Sequence, residues 1–418
     1  MKNLKKNIFY GAGEYAQEHF EYFSKRYEPL CFCDSGADNH SVCTLNGLKV
    51  LPPSVMLEEY SDVPIVVTVT PGRDKRLTQD YLTEKLGVSK ERIVNYEIYK
   101  EVRSCWDADH WARLFDFCWR LCCPVGIVAS SPEVGFDKND SPKRKVEKLV
   151  ELRNDIQDVL LNNRPCACNN CPKVRVRWSQ ELPPLRQISP VFKCYCNLNC
   201  IYCTQAKDYS HLNDFDIESF SQILNELDSK ELINESTYVQ LSMGEIAIHP
   251  KRKEILSSLC GIKTLIYSNC TVYDEALMQH IKQGKATINC SLDAGTGETY
   301  FKVKGKDYFK NVCNNLKLFS QYAKIELKYI FIEGINDNHK DVEGFIDFAS
   351  ELCPDIVVLS RNFQNMQPLS KQVMQQTAKI IVTMKALGIR NNLRDTDYRH
   401  EEIECINGFV SELEKKTT

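Results

Sequence analysis

An α/β fold is predicted for this sequence: a partial, TIM-like (β/α)6 barrel preceded by a doubly wound, Rossmann-like unit and a helical connector. Three observations predict it. Strand–helix units repeat from about residue 186 to 400. A glycine-rich turn follows the first apolar strand near the N-terminus. An aromatic and then amphipathic stretch lies between the two. The pattern divides the chain into 1–98, 99–185, 186–400 and a C-terminal helix or tail at 401–418. With 418 residues there is chain enough for two or three domains.

The first unit opens with the short apolar strand Asn7–Tyr10, which runs into Gly11-Ala12-Gly13-Glu14-Tyr15-Ala16 and a helix through about Lys25. A second strand, Pro29–Cys33, ends at Asp34. Leu48–Pro53 and Pro64–Val69 continue the alternation. In a GxGxxA turn the paired glycines let backbone amides approach a pyrophosphate, and an acid about 20 residues on can take a ribose hydroxyl. Gly11, Gly13 and Asp34 are therefore candidate nucleotide contacts. The alternative is that the glycines only make a tight turn and the unit is a scaffold.

In the connector, Cys105–Cys123 carries Trp106, Trp111, Phe115, Phe117 and Trp119, a spacing that predicts a buried helix. Ser141-Pro142 opens a second helix with Val146, Leu149, Val150, Leu152, Ile156, Val159 and Leu160 as its apolar stripe. Lys143-Arg144-Lys145 reads as a solvated face of that helix. Beyond it, strands are expected at Ile188–Lys193, Thr237–Ser242, Lys263–Ser268, Ala286–Leu292, Ile325–Ile332 and Ile356–Ser360. Helices are expected near 214–229, 251–259, 273–283, 306–322, 339–352 and 368–386. In parallel barrels the chemistry gathers at the C-terminal ends of the strands.

Composition narrows the function. Hydrophobic residues make up 43%, charged residues 26%, and the net charge is −3. No basic balance points to nucleic acid. The basic start Met1–Asn7 precedes an apolar stretch broken by Gly11 and Gly13, so neither a signal peptide nor a membrane span is read. Twenty cysteines without an export signal suggest reduced thiols and metal ligands in a cytoplasm.

The densest motif is Cys196-Asn197-Leu198-Asn199-Cys200-Ile201-Tyr202-Cys203, after the first barrel strand. Three soft thiolates suit zinc or iron–sulfur, whereas a structural zinc site normally has four protein ligands. Further strand ends carry Met243-Gly244-Glu245 with His249-Pro250, Ser268-Asn269-Cys270, Asn289-Cys290-Ser291-Leu292-Asp293 and Lys328. Along a strand alternate side chains share a face, so Asn289, Ser291 and Asp293 are expected to point together into the lumen.

These motifs together resemble the radical S-adenosylmethionine (SAM) superfamily over roughly residues 186–365. The resemblance implies a [4Fe-4S] cluster on Cys196, Cys200 and Cys203. Its open iron would bind SAM and supply the electron that releases a 5′-deoxyadenosyl radical. It further implies SAM contacts from Tyr202 (near adenine), Gly244 and Glu245 (ammonium), Ser268 and Asn269 (ribose) and Lys328 (carboxylate), while Ser291 and Asp293, facing the lumen, are candidate contacts of SAM or substrate. Met243 and Cys270 stand where relatives usually have glycine. For Asn269 a simple turn role is equally open, Lys328 alternatively reads as a solvated strand residue, and His249 reads as a capping or packing residue. Ser360, Arg361 and Asn362 are candidate substrate contacts.

Cys166, Cys168 and Cys171, with Cys194 and with Cys118, Cys122 and Cys123 as further donors, are candidate ligands of an auxiliary iron–sulfur cluster or zinc, or else small buried residues. No cobalamin-binding Asp-x-His-x-x-Gly pattern occurs. The expected substrate is a small molecule such as a nucleotide sugar. The alternatives are a peptide or protein substrate and a non-catalytic metal-binding scaffold. An electron donor such as flavodoxin or ferredoxin is expected, and no nucleic-acid or membrane partner.

Overall fold

A computed structural model describes residues 5–37, 43–70, 73–94, 96, 102–121, 132–137, 139–162, 164, 174–177, 182–203, 205, 209, 211–214, 216–365, 367–393 and 398–417. The chain forms two compact units, residues 1–106, 127–129 and 154–182 in one and 107–126, 130–153 and 183–418 in the other.

In the first unit β1 (Lys6–Tyr10), β2 (Glu28–Cys33), β3 (Cys43–Leu45), β4 (Leu48–Leu51) and β5 (Ile65–Val67) form one sheet, ordered β3-β4-β2-β1-β5. All its pairings are parallel except β3 with β4. Side chains alternate along a strand, and both faces are apolar here. Ile8, Tyr10, Cys31, Cys33, Ile65 and Val67 pack in one layer, and Phe9, Phe32 and Val66 in another with Phe23. A sheet covered on both faces is the doubly wound arrangement. The helix expected through Lys25 is instead two short segments, Glu14–Glu18 and Phe20–Ser24. His19 leaves the helical region between them (φ −109°, ψ 14°), and its ring stacks on Tyr15. A ribbon of β6 (Val102–Cys105) and β10 (Val174–Arg177) completes the unit.

The second unit is built on a ten-stranded sheet. Its order is β17-β16-β15-β14-β13-β12-β11-β7-β8-β9. The strands are β7 (Trp111–Leu114), β8 (Cys118–Leu121), β9 (Glu133–Gly135), β11 (Gln187–Pro190), β12 (Tyr238–Leu241), β13 (Lys263–Tyr267), β14 (Ala286–Ser291), β15 (Lys324–Phe331), β16 (Ile356–Arg361) and β17 (Asn391–Leu393). From β7 to β17 every pairing is parallel, while β7, β8 and β9 pair antiparallel. The six expected strands, β11 to β16, all form.

Two expectations change. The aromatic stretch is not one buried helix. A short helix, Trp106–His110, gives way to the hairpin β7–β8, closed by Phe115 N–H donating to the Cys118 carbonyl (2.9 Å). Ala112 and Leu114 alternate into the core, and the buried Trp119 indole donates to the Lys145 carbonyl (2.8 Å). The period is therefore two, not 3.6. The helix Pro142–Leu161 forms as expected, with Ser141 Oγ accepting from Arg144 N–H (3.2 Å). Within its basic run, however, Lys143 and Arg144 are exposed while Lys145 is buried. A final helix spans His400–Thr417. Among the described residues no helix is long and apolar enough to cross a membrane.

Candidate cofactor site at the barrel mouth

The cysteine loop follows β11, whose strand ends at Pro190. It lacks regular structure, and its backbone is tied elsewhere instead. Asn199 N–H and Ile201 N–H donate to the carbonyls of Lys304 and Val303, each at 3.0 Å. Cys203 N–H donates back to the Cys200 carbonyl (3.0 Å), which draws the last two thiols into one turn. Gly305, in left-handed conformation (φ +72°), lies so close to the loop that an added Cβ would stand 3.1 Å from Asn199 Cβ.

Beneath the loop is a buried ionic triad. Lys304 Nζ donates to Asp293 Oδ2 (2.6 Å), to Tyr202 OH (2.7 Å) and to the Ser291 carbonyl (2.6 Å). Tyr202 OH in turn donates to Asp293 Oδ2 (2.6 Å). The other carboxylate oxygen accepts from Ile330 N–H (2.7 Å), and Asn336 Nδ2 donates to the Asp293 carbonyl (2.9 Å). A buried charge is tolerated when it is paired and hydrogen-bonded, and here every oxygen of Asp293 has a partner. Burial alone would lower the Lys304 pKa, but Asp293 and Cys200 reverse it and hold the ammonium charged. Burial and Asp293 also push the Tyr202 phenol well above its usual range. Tyr202 thus joins the cysteine loop to the ends of β14 and β15. Asp293 lies past the end of β14 with φ +55°, so strand alternation does not set its direction. Lys304 is not among the residues that the sequence singles out. Its pairing with Asp293 carries no local signal, because helix Gly297–Lys304 has to fold back to make it.

The ends of β12 and β13 supply the second wall. Gly244 has φ +66°, and an added Cβ would lie 2.2 Å from the Tyr195 carbonyl oxygen and 2.9 Å from Cys194 Sγ. Only glycine permits this approach. Glu245 N–H then donates to the Tyr195 carbonyl (2.7 Å). The Glu245 carboxylate accepts from Ala247 N–H (2.9 Å), Ser268 Oγ (3.0 and 3.1 Å) and Asn269 N–H (2.6 Å). Burial raises its pKa, and these donors pull it back in part. Asn269 Nδ2 donates to Asn197 Oδ1 (2.9 Å) and lies 3.8 Å from Cys196 Sγ. Asn197 Nδ2 donates to Thr271 Oγ1 (2.8 Å). Cys270 has φ +55°, the conformation that glycine adopts without cost. Asn197 and Thr271 were not singled out in the sequence, although both flank motifs that were.

Ser291 closes β14, its carbonyl held by Lys304, and Lys328 is buried on β15. Asn289 Nδ2 donates to Glu326 Oε2 (2.7 Å). His249 packs edge-on against Phe192 and Tyr195, with Nδ1 accepting from Lys251 N–H (3.1 Å), as expected of a packing residue. Arg361 is engaged within the protein. Its guanidinium is buried against Glu402 of the last helix (2.8 and 2.9 Å) and the Asn365 carbonyl (2.9 Å). Asn362 Oδ1 accepts from Gln364 N–H (3.1 Å), and Ser360 is buried.

In the first unit Gly11 (φ +108°) ends β1 where an added Cβ would meet Val69 Cγ1 at 2.5 Å. Gly13 precedes the segment Glu14–Glu18 and has open space around it. Asp34 accepts from Ala12 N–H (2.8 Å) and Gly36 N–H (2.9 Å), so its carboxylate braces the glycine turn itself. Cys122, Cys123, Cys166, Cys168 and Cys171 lie outside the described residues. Cys118 is buried on β8, and burial pushes the Cys194 thiol up to about 12.

The donor set at the mouth fits an iron–sulfur cluster. Cys196, Cys200 and Cys203 lie near enough for each of the first two thiols to feel Cys203, with Cys196 and Cys203 open to solvent. Among the described residues no three His, Cys, Asp or Glu side chains close around a single ion. Three soft thiolates suit iron–sulfur ligation, whereas a structural zinc normally takes four protein ligands.

A parallel strand–helix array with three thiols on the loop after β11 is the arrangement of a cofactor-binding α/β protein. The model of the radical SAM superfamily matches residues 191–349. An uncharacterized protein of Methanocaldococcus jannaschii, MJ0804, is 30% identical over 210 residues, 49% of this chain and 67% of that protein. The chain belongs to the radical SAM superfamily, whose cofactors are a [4Fe-4S] cluster and SAM. The antilisterial bacteriocin subtilosin biosynthesis protein AlbA of Bacillus subtilis is 26% identical over 193 residues, 44% of this chain and 41% of that protein. The structure of Streptococcus suis SuiB bound to precursor peptide SuiA gives a TM-score of 0.43 at 15% identity, covering 62% of this chain and 56% of that one. The chain thus spans 67% of the first relative and 41% of AlbA.

Proposed function

We propose that this protein is a radical SAM enzyme that modifies a peptide or protein substrate. The observation that carries the enzymatic reading is the three-thiol loop fixed at the barrel mouth by Lys304, Val303 and Asn269. Likeness to AlbA, a bacteriocin biosynthesis protein, supports the peptide. Cys196, Cys200 and Cys203 would hold the cluster, which when bound supplies the electron that cleaves SAM to methionine and a 5′-deoxyadenosyl radical. The chain's own residues position and enclose. Glu245 organises Ser268 and Asn269, Asn269 holds Asn197 beside Cys196, and Gly244 keeps the β12 end close to Tyr195. The Lys304–Asp293–Tyr202 triad sets the depth of the loop. The roles of Tyr202, Gly244, Glu245, Ser268, Asn269, Ser291, Asp293 and Lys328 toward SAM belong to this proposal.

A nucleotide-sugar substrate is the second reading, favoured by the parallel sheet and GxGxxA turn of the first unit, with 1–98 as a separate domain and Gly11, Gly13 and Asp34 at its turn. A one-electron protein donor such as flavodoxin or ferredoxin, a reducing cytoplasm and an auxiliary site on Cys166, Cys168, Cys171 and Cys194 are parts of the same proposal. The test is anaerobic reconstitution, reduction with dithionite and addition of SAM. Formation of 5′-deoxyadenosine by the wild type and its loss in Cys196→Ala, Cys200→Ala and Cys203→Ala variants is expected. No product under several reductants overturns the reading. An iron content near that of one cluster would remove the auxiliary site.

A further inference from the structure

The second unit contains a cavity of about 680 Å³ that shares no lining residue with the cysteine loop or with Glu245 and Asn269. Its volume falls in the range of small-ligand sites, about 300–1,000 Å³. Phe115, Phe136, Phe192 and Phe220 line its interior, all buried and contributed by four separate stretches of chain. Among these rings sits Lys145, only 8% exposed. Its ammonium lies 5.2 Å from the centre of the Phe136 ring and 3.4 Å from Ser219 Oγ. Among the described residues no carboxylate reaches it. The rim has the opposite character: Asp116, Asp214, Glu218 and Glu254 are exposed there, against one exposed lysine, Lys251.

Burying an ammonium among phenylalanines without a carboxylate is costly, and the side chain would escape to water if nothing favoured its place. The rim acids are near yet do not satisfy it. Asp116 accepts from Asn213, Asp214 from Tyr195 OH (2.8 Å), and Asp216 caps the helix Ile217–Ser229 through Ser219 N–H (3.1 Å). A matching ligand therefore carries an anion inward, an apolar group among the rings and a cation outward.

We propose that this cavity binds the α-carboxylate of an apolar amino acid through Lys145, with its side chain among the phenylalanines and a cation on the acidic rim. A free amino acid and the C-terminal residue of a peptide with basic residues upstream both present that chemistry. The proposal does not rest on the radical reaction, because it is a binding equilibrium.

Calorimetry on the full-length protein at low salt tests it with four probes: Lys-Lys-Phe as the free acid, the same tripeptide as its C-terminal amide, free phenylalanine and N-acetyl-phenylalanine. The free acid should bind at least about tenfold more tightly than the amide, the gain of one charge-assisted hydrogen bond. Binding of the peptide but not of phenylalanine assigns the site to a chain end, and equal binding assigns it to a free amino acid. Lys145→Met should abolish the acid-over-amide preference and Lys145→Arg should retain it. Glu218→Gln with Glu254→Gln should weaken the tripeptide and leave N-acetyl-phenylalanine unchanged. A thermal melt of each variant checks that it folds. No binding of any free acid to the wild type, or equal binding of acid and amide, overturns the proposal, and the Lys145→Arg and wild-type results decide it even where Lys145→Met fails to fold.

Discussion

Replacing Gly244 by alanine should dislodge the wall against which the cysteine loop rests. Two costs add. The left-handed backbone (φ +66°) disfavours any Cβ, by about 1–2 kcal/mol. The new Cβ would also stand 2.2 Å from the Tyr195 oxygen and 2.8 Å from its carbonyl carbon, so that backbone has to move. The carbonyl that must retreat accepts Glu245 N–H at 2.7 Å, and leaving that amide unpaired costs about 1–3 kcal/mol more. The total is about 2–5 kcal/mol, taken either as global stability or as a displaced loop. Because Tyr195 immediately precedes Cys196, a displaced loop moves the first thiol. Anaerobic urea unfolding and iron content per chain read both outcomes. Gly261→Ala is the control, since Gly261 has φ +79° and no heavy atom within 4 Å of an added Cβ. It should lose only the conformational part, about 1–2 kcal/mol, and keep its iron. A Gly244→Ala variant with wild-type stability and wild-type iron would refute the reasoning.

Other perturbations probe other joints. Lys304→Met leaves Asp293 buried without its cation and should lower stability by about 3–5 kcal/mol, whereas Asp293→Asn combined with Lys304→Met should recover part of the loss in a thermal or urea melt. Glu402→Gln should cost a similar amount at neutral pH, because it strands Arg361, 2% exposed, without its carboxylate. Burial works against the charged Glu402, but the Arg399 and Leu369 amides and Arg361 prevail and hold its pKa below the usual value. A depressed carboxylate contributes stability above its unfolded pKa, about 4.3, and loses it as pH falls through the folded pKa. The gap between wild type and Glu402→Gln should therefore shrink in urea melts below about pH 4. Asn269→Ala should leave the fold intact and lower iron retention on dilution, since it removes the donor to Asn197 Oδ1 and the neighbour of Cys196.

Much of the barrel was legible because its strands are apolar runs of regular spacing. Lys263–Tyr267, Ala286–Ser291 and Ile356–Arg361 fall within a residue of where the pattern puts them. β17 was not seen, because three residues, Asn391–Leu393, are too short and too polar to stand out from a loop. The hairpin β7–β8 was read as helix because tryptophan and phenylalanine satisfy either period until the Asp116-Phe117 turn is recognised. At the site, Gly244, Glu245 and Asn269 were legible as motifs on strand ends. Which of the site residues bond to one another was not. Tyr202 meets Asp293 across 91 positions of sequence and Lys304 across 102, and only the folded barrel brings them together. The short break at His19 and the bracing of the glycine turn by Asp34 likewise come from side-chain bonds that no spacing reveals.

Cys196, Cys200 and Cys203 would hold an iron–sulfur cluster with one iron left for SAM. Electron paramagnetic resonance of the anaerobically reconstituted, dithionite-reduced protein, with and without SAM, tests it most directly. The expected result is a [4Fe-4S] signal that shifts when SAM is added and that is missing in the triple Cys→Ala variant. A signal indifferent to SAM, or wild-type protein holding zinc and no cluster, would contradict it.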